Sequence, residues 1–248
     1  MNKLRIAVTG AAGNLGSLLA HRLLKEKVSL NLLIHKKRLP KALNENKKVT
    51  TFTVDLSNQA SLLQALEGVD VVVHFAGVLF KSNPEKFLAT TNTQYFKNLL
   101  DVAVEQKVKR IILISFPHVE GESFPDKPAK GILNGTPISV HAITRLEEEQ
   151  LLFNYATRHS FEPVSLRVGM VYGKGILMID AAQWFAKHNL LGVWKNPTYI
   201  HLISKTDFVD ATVAACLYEN INGIYHIGDD GVQTLQEFLD TITQYKRY

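Results

Sequence analysis

The chain has 248 residues, of which 46% are hydrophobic and 21% charged, and this fits one sizeable globular domain with a substantial core. Its single cysteine, Cys216, excludes a disulfide framework and leaves no zinc-ligand pattern; in the apolar run "ATVAACLYE" it reads as a buried, inert thiol. The net charge of +5 gathers in short clusters at 35–38, 46–48 and 107–110, and without interleaved aromatics these argue against a nucleic-acid surface.

"LRIAVTG" reads as a first strand, followed by a helix from Asn14 to about Lys27, with no signal peptide before it. "SLNLLIH" is a second strand, "VTTFTVD" a third, "VDVVVHFAG" a fourth and "RIILIS" a fifth, with helical patterns in "NQASLLQALEG" and over 85–107. Another helix carries "SVHAITRLEEEQLLF"; "FEPVSLRVG" is a sixth strand and "GIYHIG" a seventh. Apolar strands alternating with helices predict an α/β, doubly wound parallel sheet, because parallel neighbours need crossovers that pack back on the sheet. Residues 1–248 are expected to form one Rossmann-type domain, with small cap segments at about 174–205 and 229–248. No apolar run approaches the roughly 20 residues needed to cross a bilayer, so a cytoplasmic protein without a membrane partner is expected.

"GAAGNLG", from Gly10 to Gly16, stands between the first strand and the first helix. Glycines there permit a tight turn and a close approach to a pyrophosphate, which the free amides and dipole of the helix N-terminus then hold. An acidic residue at the end of the second strand would mark NAD, but that strand ends in His35, followed by Lys36, Lys37 and Arg38. Cations at this place suit a 2′-phosphate and favour NADP over NAD; the competing reading is an exposed loop with its lysines in solvent. Asp55 ends the third strand, where it accepts from an adenine amino group or caps the helix that begins near Ser57.

The ordered set "TGAAGNLG", "VDLSN", "VVHFAG", "TNTQYFKNLLDVAVEQKVKRIILIS", "LRVGMVYGKG" and "GIYHIGDDGVQTLQEFLDTI" resembles the extended and atypical branch of the short-chain dehydrogenase/reductase family, the epimerase/dehydratase-like proteins. The resemblance implies that Gly10, Ala12, Gly13, Asn14 and Leu15 line the pyrophosphate, that Asp55 and Leu56 meet the adenine, and that Phe75, Ala76 and Gly77 meet the adenosine side. Val168 stands where the family usually has proline, near the nicotinamide. The resemblance also implies a homodimer through the helices near 84–106 and 138–158.

Three positions depart from the family pattern. The family's helical tyrosine, and the lysine four residues later, fall on His141 and Arg145, and its catalytic hydroxyl falls on Phe116, one residue beyond Ser115. An arginine keeps the positive charge and can still grip the nicotinamide ribose, with a broader, planar group. Residues four apart share a helix face, so His141 and Arg145 are expected to meet one ligand together. A free imidazole has a pKa of about 6.5, and a neighbouring guanidinium disfavours its charged form, so a mostly neutral His141 is expected at pH 7. Such a ring serves as a base or hydrogen-bond donor, or it only packs beside the cofactor.

Among weaker candidates, His74 reads as a satisfied core histidine, while Tyr172, His118 and His201 carry little signal. The loop at 117–139 is long enough for a lid over the substrate, or it is a variable surface loop. Two functions fit: an NADPH-dependent oxidoreductase acting on a small carbonyl-type substrate, and an NADP(H)-binding sensor or regulatory module without turnover. Nucleotide-sugar epimerisation or dehydration ranks below both, because it needs a strong base.

Overall fold

The computed structural model describes residues 3–77, 81–192 and 195–243. Seven parallel strands form the central sheet: β1 (Leu4–Thr9), β2 (Val28–Ile34), β3 (Val49–Thr53), β4 (Val71–His74), β5 (Arg110–Ser115), β6 (Glu162–Val168) and, after three short strands, β10 (Gly223–Ile227). Their spatial order is β3-β2-β1-β4-β5-β6-β10, so the chain reverses direction across the sheet between β1 and β4. The crevice at that reversal is where a doubly wound sheet takes a ligand.

Alternation along each strand builds two cores. Ile6 and Val8 face α1 (Asn14–Leu23) and α7 (Lys205–Leu217), whereas Ala7 faces α3 (Ala60–Leu66), α4 (Tyr95–Glu105) and α5 (Val140–Ala156). Cys216 is buried in the first of these cores, and burial pushes its thiol up to about 12. A one-turn helix, α2 (Lys41–Asn44), leads into β3. The segments beyond β6 carry β7 (Met170–Tyr172), α6 (Leu177–Lys187), β8 (Tyr199–Ile200), β9 (Leu202–Ser204), β11 (Gln233–Thr234) and α8 (Leu235–Thr243). Strand β7 pairs with β9, β8 pairs with β11, and α6 packs on α8.

Two helix boundaries differ from the sequence expectation. The first helix stops at Leu23 rather than near Lys27, because Lys48 reaches across and donates to the carbonyls of Leu24 and Glu26 at 2.7 and 2.9 Å. The helix expected over 85–107 begins as a 3-10 turn at Pro84–Lys86 and a π-helical turn at Ala89–Gln94 before α4 starts. The polar, β-branched run "TTNT" favours helix weakly, and the wide turn buries Asn92, whose amide donates to Thr144 Oγ1 at 3.1 Å.

Basic clusters also resolve into structural parts. Lys48 caps a helix, and Arg110 is buried, bonded to Glu162 at 2.6 Å and to the carbonyls of Ala215 and Tyr218. His35, Lys36, Lys37 and Arg38 alone form a continuous exposed cationic stretch, at the end of β2. Among the described residues no helix is long and apolar enough to cross a membrane.

Candidate functional site

The glycine loop makes the turn its sequence requires. Gly10 has φ +65°, and a Cβ there would lie 3.1 Å from the amide nitrogen of Ala76 at the end of β4. Gly13 donates to the Gly10 carbonyl at 2.8 Å, and a Cβ on Gly16 would lie 2.5 Å from that same oxygen, so only glycine lets α1 approach β1 this closely. No side chain caps α1 at Gly13, which leaves the first-turn amides for an outside acceptor. This open cradle, with Ala12 beneath it and half-buried Asn14 and Leu15 on its rim, fits a pyrophosphate. Asn14 also ties the loop to the segment between β7 and α6, donating to Gly175 O at 2.9 Å and accepting from Leu177 N at 3.4 Å.

Beyond β3, Asp55 Oδ1 accepts from the amide and the hydroxyl of Ser57 at 2.9 and 2.7 Å, and these bonds hold its carboxyl below the usual range. These bonds close a local turn rather than cap a helix, since α3 starts at Ala60 instead of near Ser57 and its N-cap Gln59 makes no side-chain capping bond; the exposed Asp55 also feels the charge of His35. Leu56 is half-buried beside it, and its carbonyl accepts from Asn98. Phe75 and Ala76 are half-buried and Gly77 is exposed, directly opposite Gly10.

Thr9, His74, Glu148 and Arg145 connect this loop to α5. Thr9 Oγ1 accepts from the amides of Phe75 and Ala76 at 3.2 Å each, so its proton goes to His74 Nδ1, 2.9 Å away. The remaining ring proton is then on His74 Nε2, which faces Glu148 Oε1 at 3.8 Å. Burial, with the charge of Arg145 second, lowers His74 to about 3, so the ring is a neutral core histidine, as the sequence suggested. Arg145 Nη1 lies 2.9 Å from Glu148 Oε2, and Nη2 lies 3.3 Å from the point a Cβ of Gly77 would occupy. The Arg145–Glu148 contact has ion-pair distance without hydrogen-bond alignment: among the described residues neither oxygen of the fully buried Glu148 finds a hydrogen-bond partner, nor do Nε and Nη1 of Arg145. Burial pushes Glu148 up to about 7 against the pull of Arg145, with Glu149 and Glu147 adding to the push.

The contacts of Arg145 run to residues other than His141. Arg145 turns inward to Glu148 and Gly77, and the imidazole its charge acts on is His74; His141 is half-buried and makes no side-chain hydrogen bond among the described residues. Ser115 belongs to β5, with its hydroxyl buried and unpartnered, while Phe116 is half-buried with its ring 6.0 Å from that of His118.

The opposite side of α5 is saturated. Arg167, fully buried in β6, donates to Glu149 from Nε at 3.0 Å and from Nη2 at 2.6 Å, to the Ile132 carbonyl at 2.7 Å, and to Glu120. Glu120 also accepts from the amides of Lys130, Gly131 and Ile132, and these bonds hold it below its usual range despite burial. The 117–139 loop is thus fastened to the sheet through buried charge. Next to Glu120 stands the ring of His226, at 3.4 Å; His201 acts electrostatically on both His118 and His226, and its Nε2 is 3.5 Å from Ser123 Oγ. Burial, then the charge of a neighbour, lowers both His118 and His226. Val168 follows Arg167 and closes β6 almost fully buried.

Sequence reasoning missed Thr9, Asn92, Glu120, Glu148 and Glu149. "LEEEQ" read as an acidic stretch, and its signal was the spacing: two of its glutamates lie three and four residues beyond an arginine, on the face that points inward. Two recesses, of about 300 and 630 Å³, open near the N-terminal ends of the strands, around Arg5 and around Arg110.

The sequence matches the profile of the NAD dependent epimerase/dehydratase family over residues 6–228. It is 30% identical over 187 residues to a uronate dehydrogenase of Pseudomonas putida, covering 75% of this chain and 68% of that protein. It is 27% identical over 180 residues to an L-arabinose 1-dehydrogenase (NAD(P)(+)) of Haloferax volcanii, covering 66% of each. The UDP-glucose 4-epimerase of Thermus thermophilus, solved with NAD, superposes with a TM-score of 0.78 at 22% identity, covering 97% of this chain and 83% of that one. At that identity the likeness shows the fold.

Proposed function

The chain belongs to the NAD dependent epimerase/dehydratase family, and from that premise we propose that it is an NADP(H)-dependent oxidoreductase acting on a small hydroxyl or carbonyl compound of the sugar or sugar-acid class. The observation that carries this reading is a run of close approaches: Gly10, in the uncapped turn before α1, lies against Ala76, and Gly77, next in the chain, lies against the guanidinium of Arg145. The names of the two curated dehydrogenases support the substrate class. The exposed His35, Lys36, Lys37 and Arg38 support NADP, because a 2′-phosphate there meets several cations and no acidic residue at the strand end. NAD is the alternative, and it is the cofactor the family name carries.

In this reading the bound dinucleotide supplies hydride transfer at its nicotinamide. The residues around it bind and orient. The α1 amides would hold the pyrophosphate, Asp55 and Leu56 the adenine, Phe75, Ala76 and Gly77 the adenosine and Arg145 the nicotinamide ribose, with Val168 near the ring. His141 occupies the place of the proton-relaying group, and its imidazole moves a proton at Nε2 or Nδ1 to or from the substrate oxygen. On the substrate side Phe116 leaves no hydroxyl at the third position, and the histidines at 118, 201 and 226 supply polar contacts.

The second reading, a cofactor-binding module without turnover, is favoured by Phe116 and His141 at the two positions where the family has hydroxyls. Turnover separates the two. Aldoses and hexuronates offered with NADP+ or NAD+, with nicotinamide absorbance followed, are expected to give reduction that His141→Ala slows by about 10²-fold or more. Binding without turnover on any of them would establish the second reading. A Lys36→Ala, Lys37→Ala double variant is expected to lose about tenfold in NADPH affinity while NADH affinity holds.

A further inference from the structure

Glu148 combines full burial with two carboxylate oxygens that make no hydrogen bond, beside an arginine whose other terminal nitrogen reaches the cofactor groove at Gly77. A buried carboxylate without hydrogen bonds is costly unless it serves a state the protein must reach. The groups facing it are Arg145, Glu147 and Glu149 from its own helix and His74 from β4. Glu149 is neutralised by Arg167, and Glu147 is bonded to Thr93, so neither competes for Arg145. His74 presents its Nε2 proton and stays neutral. One carboxyl and one guanidinium therefore share a proton-sensitive contact at the nicotinamide end of the groove.

We propose that Glu148 is the positioning residue for Arg145, and that a proton on its carboxyl tunes the pocket's preference between reduced and oxidised nicotinamide. The inference rests on the cofactor reading above. Ionised, Glu148 neutralises Arg145 and favours the positive charge of the oxidised ring. Protonated, it leaves the guanidinium uncompensated, which disfavours that ring and leaves the neutral reduced ring unaffected. The oxidised ring accordingly lowers the pKa of Glu148 relative to the reduced complex, and oxidised cofactor binds relatively better as pH rises. The direct push of burial, which brings this carboxyl to about 7, puts the switch in the range where a cell works.

The test is the ratio of dissociation constants for NADP+ and NADPH, with NAD+ and NADH in parallel, measured across pH. The 2′-phosphate and the pyrophosphate are common to both redox forms, so their contributions cancel in the ratio. A difference of about one pKa unit between the two complexes raises the ratio about tenfold as pH falls from about 8.5 to about 5.5. Glu148→Gln is expected to hold the ratio constant. A ratio that does not move with pH in the unsubstituted protein, or that moves equally in Glu148→Gln, overturns the proposal. Should Glu148→Gln not fold, infrared difference spectra of the unsubstituted protein near neutral pH decide. A stronger protonated-carboxyl band with NADPH than with NADP+ supports the proposal, and equal bands overturn it. Absence of any nucleotide binding would instead remove the cofactor reading itself, a failure distinct from tight binding with a constant ratio.

Discussion

Glu148 and Glu149 are neighbours on α5, both fully buried, and they meet opposite fates. Glu149 accepts from Arg167 and from Ser165 Oγ at 2.8 Å, and Arg167 in turn binds Glu120, which gathers three amides of the 117–139 loop. Glu148 has an arginine at ion-pair distance and no hydrogen bond. The saturated side toward β6 is architecture: it fixes a long loop to a strand end. The unsaturated side toward β4 keeps polar capacity in reserve beside the groove, and there function is to be sought.

The sharpest way to break this comparison is to remove the hub of the saturated side. Arg167→Ala leaves two buried carboxylates without their cation and is expected to cost about 3–5 kcal/mol in urea unfolding. A loss below about 1 kcal/mol would show that the network is not what fastens the loop. On the unsaturated side the sign reverses. Glu148 has its folded pKa raised from 4.5 to about 7, so its contribution to stability is full below 4.5 and is lost as pH rises through 7. Glu148→Gln mimics the protonated form and is expected to be more stable than the unsubstituted protein at about pH 8, by about 2–3 kcal/mol, and equal to it at about pH 4.5. His74, lowered to about 3, works the other way, losing stability as pH falls below 6.5, so the difference between the two proteins carries the test rather than either curve. Removing one hydrogen bond from the saturated side is a smaller perturbation: Ser165→Ala is expected to cost about 1–2 kcal/mol, read in the same unfolding series. Smallest is His226→Asn, because that side chain is 33% exposed and 3.4 Å from an already satisfied Glu120, so a change under about 0.5 kcal/mol is expected in thermal unfolding.

The same contrast marks what was legible in the sequence. Strands with alternating or continuous apolar runs, and the glycine turn at Gly10, state their roles locally, since backbone sterics and burial periodicity decide them. The parallel sheet and the cradle followed from such patterns, whereas the order of the strands came from the structure. Charged residues do not state theirs, because a glutamate is buried only when a partner distant in sequence meets it: Arg167 lies 47 residues from Glu120, and Thr9 lies 65 from His74. The spacing of His141 and Arg145 put them on one face, yet Glu148 three residues later draws the guanidinium inward. The π-helical turn at Ala89–Gln94 escaped for a related reason, being stabilised by the Asn92–Thr144 contact across elements rather than by local propensity.

The proposed dinucleotide site runs from the glycine loop to Arg145. Its most direct test is a titration of the purified protein with NADPH and NADH, followed by fluorescence, alongside Arg145→Ala. The account predicts saturable binding, NADPH tighter than NADH, and a loss of about tenfold or more on Arg145→Ala, about the value of one charge-assisted hydrogen bond. No binding of either nucleotide, or binding that ignores Arg145, would contradict it.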